Sequence, residues 1–165
     1  MLLFDRLKAM LEVDIHGFGP VKLEYLVSDF NGTLALDGNL PPKIKQKLNK
    51  IAFTLKIFVL TSDEFGKAEE ELKDVNCTLH IIKEKDMDIQ KAAFVRKLGA
   101  EKVVAFGNDM NDREMLKVAR LGIIVSGTEG CAVEALFAAD IQVTSPSDGL
   151  DLLVSQKSLR ATLKF

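Results

Sequence analysis

An α/β fold is predicted, in which a mostly parallel, Rossmann-like sheet of about six strands is flanked by helices in three layers. Three observations predict it. From residue 22 onward, short apolar runs alternate with amphipathic stretches, the sequence form of repeated βα units. Acidic residues, amides and glycines collect directly after several of these runs, where an open parallel sheet gathers its loops. Finally, 165 residues with 47% hydrophobic composition can bury one core and are too few to suggest two.

In chain order, the opening MLLFDRLKAMLEV is apolar but carries Asp5, Arg6, Lys8 and Glu12, which suits neither a signal-peptide core nor a membrane span. It is expected to form a short amphipathic helix or strand. Residues 1–24 are expected to be an N-terminal extension, with a hairpin around 12–24 turning at His16-Gly17-Phe18-Gly19-Pro20. Strands are expected at 25–28, 56–60, 78–82, 102–106, 122–126 and 141–144, where runs of strand length are mostly β-branched. Covering helices are expected at 65–74, 88–98, 111–119, 131–138 and 148–154, where apolar residues recur three and four apart. No repeat or Pro/Gly/Ser linker divides the chain, so one domain over 1–165 is expected.

Composition narrows the function. Twenty-two basic against twenty-four acidic side chains, with no basic block, argue against nucleic acid as a partner. Cys77 and Cys131 have neither CxxC spacing nor nearby histidines, so neither zinc nor a disulfide framework is supported, and a cytoplasmic location fits. His16 and His80 adjoin no motif and read as packing or surface residues; Phe18, Phe53, Phe58 and Phe94 read as core.

The polar clusters at strand ends carry the chemistry. After the first strand of the sheet comes Asp29-Phe30-Asn31-Gly32-Thr33-Leu34, a carboxylate followed by a glycine that permits a sharp turn. On its own, this is also how an Asx-type turn is built. After the second strand, Thr61-Ser62-Asp63 places a hydroxyl where it could donate to a phosphate oxygen or cap a helix. After the fourth strand, Gly107-Asn108-Asp109-Met110-Asn111-Asp112 gathers carboxylates and amides of the kind that suit a hard cation such as Mg²⁺. Lys91, near the start of the helix after the third strand, could reach a phosphate and a neighbouring carboxylate, although a helix lysine is usually a solvated one.

These segments, in this order, resemble the four motifs of the haloacid dehalogenase (HAD) superfamily: the Asp29 run the first, Thr61 the second, Lys91 the third and the Gly107–Asp112 run the fourth. Within it, the likeness is to the phosphorylation domain of P-type ATPases, with signatures DKTGT and GDGxND, and to its small soluble relatives. The runs 127–130, 135–140 and 148–153 resemble the tail of that domain. The resemblance implies a HAD-like fold and a Mg²⁺-dependent phosphohydrolase or phosphotransferase working through a phospho-aspartate at Asp29. It implies that Thr61 and Lys91 hold phosphoryl oxygens, with Ser62, Gly32 and Asn111 also on the substrate. Mg²⁺ would be held by Asp29, the Asn31 carbonyl and the fourth motif.

Two departures modify this expectation. The superfamily's acid/base aspartate, two residues after the nucleophile, is here Asn31, and an amide cannot transfer that proton. Because general acid–base catalysis is typically worth ~10²–10⁴ in rate, slow turnover or a persistent phospho-enzyme is expected. A metal-binding aspartate is replaced by Asn108, so Asp112 becomes the stronger ligand candidate, with Asn108 or Asp109 assisting. Together the two amides also suit a weakly active or inactive phosphate-binding regulatory domain. The chain between Thr33 and Thr61 is too short for a sizeable cap, and the nucleotide-binding insertion and membrane helices of ion pumps are missing from it. The open site then takes either a phosphorylated macromolecule or a phosphorylated small molecule, the latter with a second protomer of a homo-oligomer covering the crevice. No membrane partner is expected.

Overall fold

The computed structural model describes residues 10–165, so most of the amphipathic segment expected at the start of the chain lies outside the described residues. Strands β1 (Leu11–Ile15) and β2 (Gly19–Leu23) form an antiparallel hairpin in the register Leu11↔Leu23 to Ile15↔Gly19. Leu11, Val13 and Ile15 are buried while Glu12 and Asp14 face out, the period of two of a half-buried strand. Arg120 holds the hairpin's turn. Its Nη2 donates to the Phe18 and Pro20 carbonyls at 3.0 Å each, and the guanidinium lies 4.3 Å from the centre of the Phe18 ring.

Six parallel strands follow: β3 (Tyr25–Ser28), β4 (Lys56–Thr61), β5 (Thr78–Ile81), β6 (Val103–Gly107), β7 (Leu121–Val125) and β8 (Ile141–Val143). They coincide with the six expected runs to within one residue at either end. Their spatial order is β5-β4-β3-β6-β7-β8, which puts β3 in the middle with Ser28 opposite both Val59 and Phe106. The order of strands reverses there, and the crevice beyond such a reversal is where open α/β sheets bind ligands.

The helices are α1 (Pro42–Ile51), α2 (Ala68–Leu72), α3 (Met87–Leu98), α4 (Arg113–Val118), α5 (Val133–Ala138), α6 (Pro146–Val154) and α7 (Gln156–Leu163). On one face of the sheet, Ile44 and Leu48 of α1, Leu150 of α6 and Leu159 of α7 join the hairpin over Leu26, Ile57 and Val104. On the other, Val95 of α3, Met115 of α4 and Ala135 of α5 cover Val27, Phe58 and Ala105. Burial on both faces is why these strands read as nearly unbroken apolar runs.

Several expectations are corrected. Helices α1 and α7 were not foreseen. The helix expected over 65–74 shrinks to α2 because Asp63 and Gly66 adopt left-handed backbone, at φ 56° and 63°. Asp63 Oδ1 then accepts from the Lys67 and Ala68 amides at 3.0 Å each and sets the start. The helix expected over 111–119 divides into a 3₁₀ turn, Met110–Asp112, and α4, because the Asp109 and Asp112 side chains cap that turn reciprocally. Helix α5 begins two residues later than expected and α6 two earlier, the latter capped by Ser145 Oγ, which accepts from the Asp148 amide at 3.1 Å. Phe53 is not core: it stands 85% exposed in the turn after α1, past that helix's apolar stripe, whereas Phe58 is buried and Phe18 and Phe94 are half-buried. His16 and His80 are surface residues, His80 lying against Phe94.

Candidate active site

The Asp29 amide donates to the Phe106 carbonyl at 3.0 Å, extending the β3–β6 ladder by one bond and fixing the carboxylate at the sheet's carboxyl rim. The chain then folds back, the Phe30 carbonyl accepting from the amides of Thr33, Leu34 and Ala35. Gly32 makes this possible with φ 77°. A Cβ there would also stand 2.4 Å from both Asn108 Nδ2 and Glu129 Oε2, so no side chain fits. The turn returns Thr33 beneath the carboxylate, where its Oγ1 lies 3.1 Å from Asp29 Oδ2 and 3.0 Å from Asn108 Oδ1.

Lys91, on α3, is fully buried. Its ammonium donates to Asp29 Oδ1 at 2.9 Å, to Asp112 Oδ1 at 2.7 Å and to Asn111 Oδ1. Lysine has three donors and all are used, which is how this site tolerates a buried cation. The second Asp112 oxygen accepts from the Asn108 amide at 2.9 Å and the Asp109 amide at 3.3 Å. Gly107 permits this approach, since a Cβ there would meet the Asp112 Cβ at 2.4 Å.

Oxygens of Asp29, Asp109 and Asp112 lie within 4.8 Å of one another. Three carboxylates face one ammonium, so the site carries excess negative charge. Its effect is visible on Asp29, whose carboxyl is raised from 3.8 to about 7 by burial and then by the Asp112 charge, with Lys91 opposing. Asp109 is raised for the same two reasons. Burial would lower the Lys91 ammonium, but Asp112 and Asp29 outweigh it and hold the group above its usual range. Asn31 Oδ1 is buried and accepts no hydrogen bond among the described residues. An oxygen-only donor set with surplus negative charge and an unsatisfied amide oxygen fits a hard divalent cation such as Mg²⁺.

Thr61 ends β4, buried, with Oγ1 accepting from the Asp63 amide at 3.0 Å and its own proton left to donate. Ser62 is half-buried beside it. Asp29, Lys91, Asn108, Asp109, Asn111 and Asp112 are thus drawn into one bonded network, whereas no hydrogen bond among the described residues ties Thr61 or Ser62 to it. Thr33 stands in the Asp29 run, but its role as the bridge between the first and fourth motifs was missed, although a hydroxyl four residues beyond Asp29 in a tight turn is the available clue. Glu129 was also missed; a glutamate in a surface loop carries no signal of its own.

Comparison with known proteins agrees with this fold. The haloacid dehalogenase-like hydrolase family matches residues 83–136. An uncharacterized protein of Methanocaldococcus jannaschii is 44% identical over 62 residues, 38% of this chain and 67% of that protein. A probable copper-exporting P-type ATPase of Archaeoglobus fulgidus is 32% identical over 106 residues, 63% of this chain but only 13% of the ATPase. The fold is shared with 3-deoxy-D-manno-octulosonate 8-phosphate phosphatase of Moraxella catarrhalis, solved with magnesium, phosphate and the sugar acid. That likeness has a TM-score of 0.66 and 15% identity, and covers 84% of this chain and 90% of that one. Among the described residues, no helix is long and apolar enough to cross a membrane. The match to the haloacid dehalogenase-like hydrolases thus spans residues 83–136, about a third of the chain, and the fold as a whole is one shared with phosphatases.

Proposed function

We propose that this chain is a Mg²⁺-dependent phosphohydrolase or phosphotransferase that works through a phospho-aspartate at Asp29. The observation that carries the reading is the buried Asp29–Lys91–Asp112 arrangement at the carboxyl rim of β3. An Asp29 carboxylate oxygen attacks phosphorus, the bond from phosphorus to the ester oxygen breaks, and the leaving oxygen takes a proton. Water then attacks the phosphorus of the acyl phosphate, releasing inorganic phosphate and restoring the carboxylate.

Asp29, the Asn31 carbonyl, Asp109 and Asp112 would hold Mg²⁺, with Asn108 assisting. When bound, the cation supplies the positive charge that lets a carboxylate approach an anionic phosphate. Lys91 must give up one internal hydrogen bond to reach a phosphoryl oxygen, so phosphate binding and rearrangement of the Asn111 contact are coupled. Thr61 holds a hydroxyl proton that would serve a second oxygen, and Ser62, Gly32 and Asn111 would supply further substrate contacts. Asn31 offers no proton to the leaving group, and water replaces it in that role, which makes turnover slow. Among the described residues, only turns and isolated bridges lie between β3 and α1, so nothing there covers the crevice. A phosphorylated small molecule suits the fold's phosphatase likeness, with a second protomer as the cover in a cytoplasmic homo-oligomer.

The test is incubation with MgCl₂ and acetyl phosphate or p-nitrophenyl phosphate, with Asp29→Asn as control. Acid-stable labelling by ³²P and phosphate release are expected from the parent and not from the variant; equal release from both removes the reading. The Asn31 amide favours a second reading, a regulatory domain that binds phosphate without turning it over. Asn31→Asp separates them: phosphate release rises by roughly 10²-fold if Asn31 limits an otherwise competent site, and stays at background if the site is only a binding one.

A further inference from the structure

Asn108 occupies the strand end beside the carboxylates with an amide in place of a charge. Its Oδ1 accepts from Thr33, which leaves Nδ2 to find an acceptor. Nδ2 and Glu129 Oε2 both stand 2.4 Å from the one point above Gly32 where a side chain would begin, so the amide and the carboxylate are neighbours across the glycine. Glu129 is held there by the loop that carries it. The 127–130 turn closes with the Gly130 amide on the Gly127 carbonyl at 2.9 Å, and the Ala132 amide donates to the Asn108 carbonyl at 2.9 Å, tying the loop after β7 to the loop after β6. Among the described residues the Glu129 carboxylate has no ion pair or hydrogen bond to divert it.

We infer that Glu129 supplies, from the loop after β7, the negative charge that Asn108 does not bring to the cation site. It is a positioning residue. The carboxylate stands beside the Asn108 amide without a hydrogen bond to it and acts by adding its charge to the field of Asp29, Asp109 and Asp112 from outside their cluster. The inference rests on the proposed cation site and names how that site compensates for its amide.

Isothermal titration of the full chain with MgCl₂ tests it, independently of turnover. Glu129→Gln is expected to weaken Mg²⁺ binding roughly 5- to 10-fold, the scale of one charge near a divalent cation at a half-exposed site. The double variant Asn108→Asp/Glu129→Gln, which moves the charge onto the strand end, is expected to bind within about twofold of the parent, a coupling that a double-mutant cycle reads directly. Melting temperatures in EDTA, unchanged by Glu129→Gln, confirm that the effect is not unfolding. If Glu129→Gln binds like the parent while Asp112→Asn loses binding, the role of Glu129 is overturned and the cation site stands. If the parent itself binds no Mg²⁺, both are overturned. A double variant that stays as weak as Glu129→Gln also overturns the inference, because charge alone should restore binding.

Discussion

At the carboxyl rim of the sheet, Asp29, Lys91 and Asp112 are buried charges bonded to one another, whereas at the amino rim Tyr25, Phe53, Phe58 and Cys77 line a groove of about 900 Å³. The groove is roomy, yet polar groups on its lining are occupied: Glu24 pairs with Lys102, and the Asn76 amide donates to Asn49. Its thiol is pushed up to about 11 by burial and stays protonated at neutral pH. Space alone does not make a site. Parallel strands send their loops and helix starts to one rim, and in this chain the convergent polar groups are all at that rim.

Substitutions should separate the two rims, with function changing at one and only stability at the other. The largest effect is expected of Lys91→Met, which strands two buried carboxylates. It should cost about 3–5 kcal/mol in urea unfolding and abolish phosphoryl transfer, with Mg²⁺ recovering part of the stability. At the other rim, Phe58→Ala removes a buried ring that contacts Tyr25, His80 and Phe94. It should cost about 3 kcal/mol while leaving the rate per folded molecule unchanged; a lost rate would mean that the two rims are not independent.

A pH series sharpens the contrast. Asp29 releases its proton at about 7 when folded, against an ordinary value of 3.8. Between those limits the folded chain holds more protons than the unfolded one, so the stability due to Asp29 is full below the lower value and is lost as pH rises through the upper. Urea midpoints in EDTA at pH 5 and pH 8 should show that fall, Asp29→Asn should reduce it, leaving the part due to Asp109, which is raised for the same reasons, and Cys77 should contribute nothing in this range. The smallest effect is expected of Phe53→Ser, within about 0.5 kcal/mol, because the ring is already in solvent.

The six strands were legible because burial on both faces leaves an unbroken apolar record. Helix α1 was overlooked although its signal is present: Ile44, Leu48 and Ile51 share one face and Pro42 opens the first turn, but six polar or charged residues dilute the stripe. Helix α7 has only Leu159 and Leu163 buried, too few to stand out. In the site, Asp29, Asn108, Asp109 and Asp112 were visible as polar breaks at strand ends. The burial of Lys91 was not, because a lone lysine in a helix looks the same whether it faces water or three acceptors. Phe53 failed in the opposite sense, since its ring gives no hint that the turn after α1 points it outward. Glu129 shows the same limit, for its position depends on Gly32 lacking a side chain nearly a hundred residues earlier.

The central place of β3 has a consequence for synthesis on the ribosome. Its two neighbours are β4, which follows closely, and β6, which appears only after α3, so Thr33 meets a partner 75 residues downstream at Asn108. A nascent chain that has not yet emerged beyond Asp112 carries Asp29 and Lys91 but not the second carboxylate that holds the ammonium between them. Until then the lysine lacks the partners that offset its burial, and the charge network at the rim of the sheet cannot close.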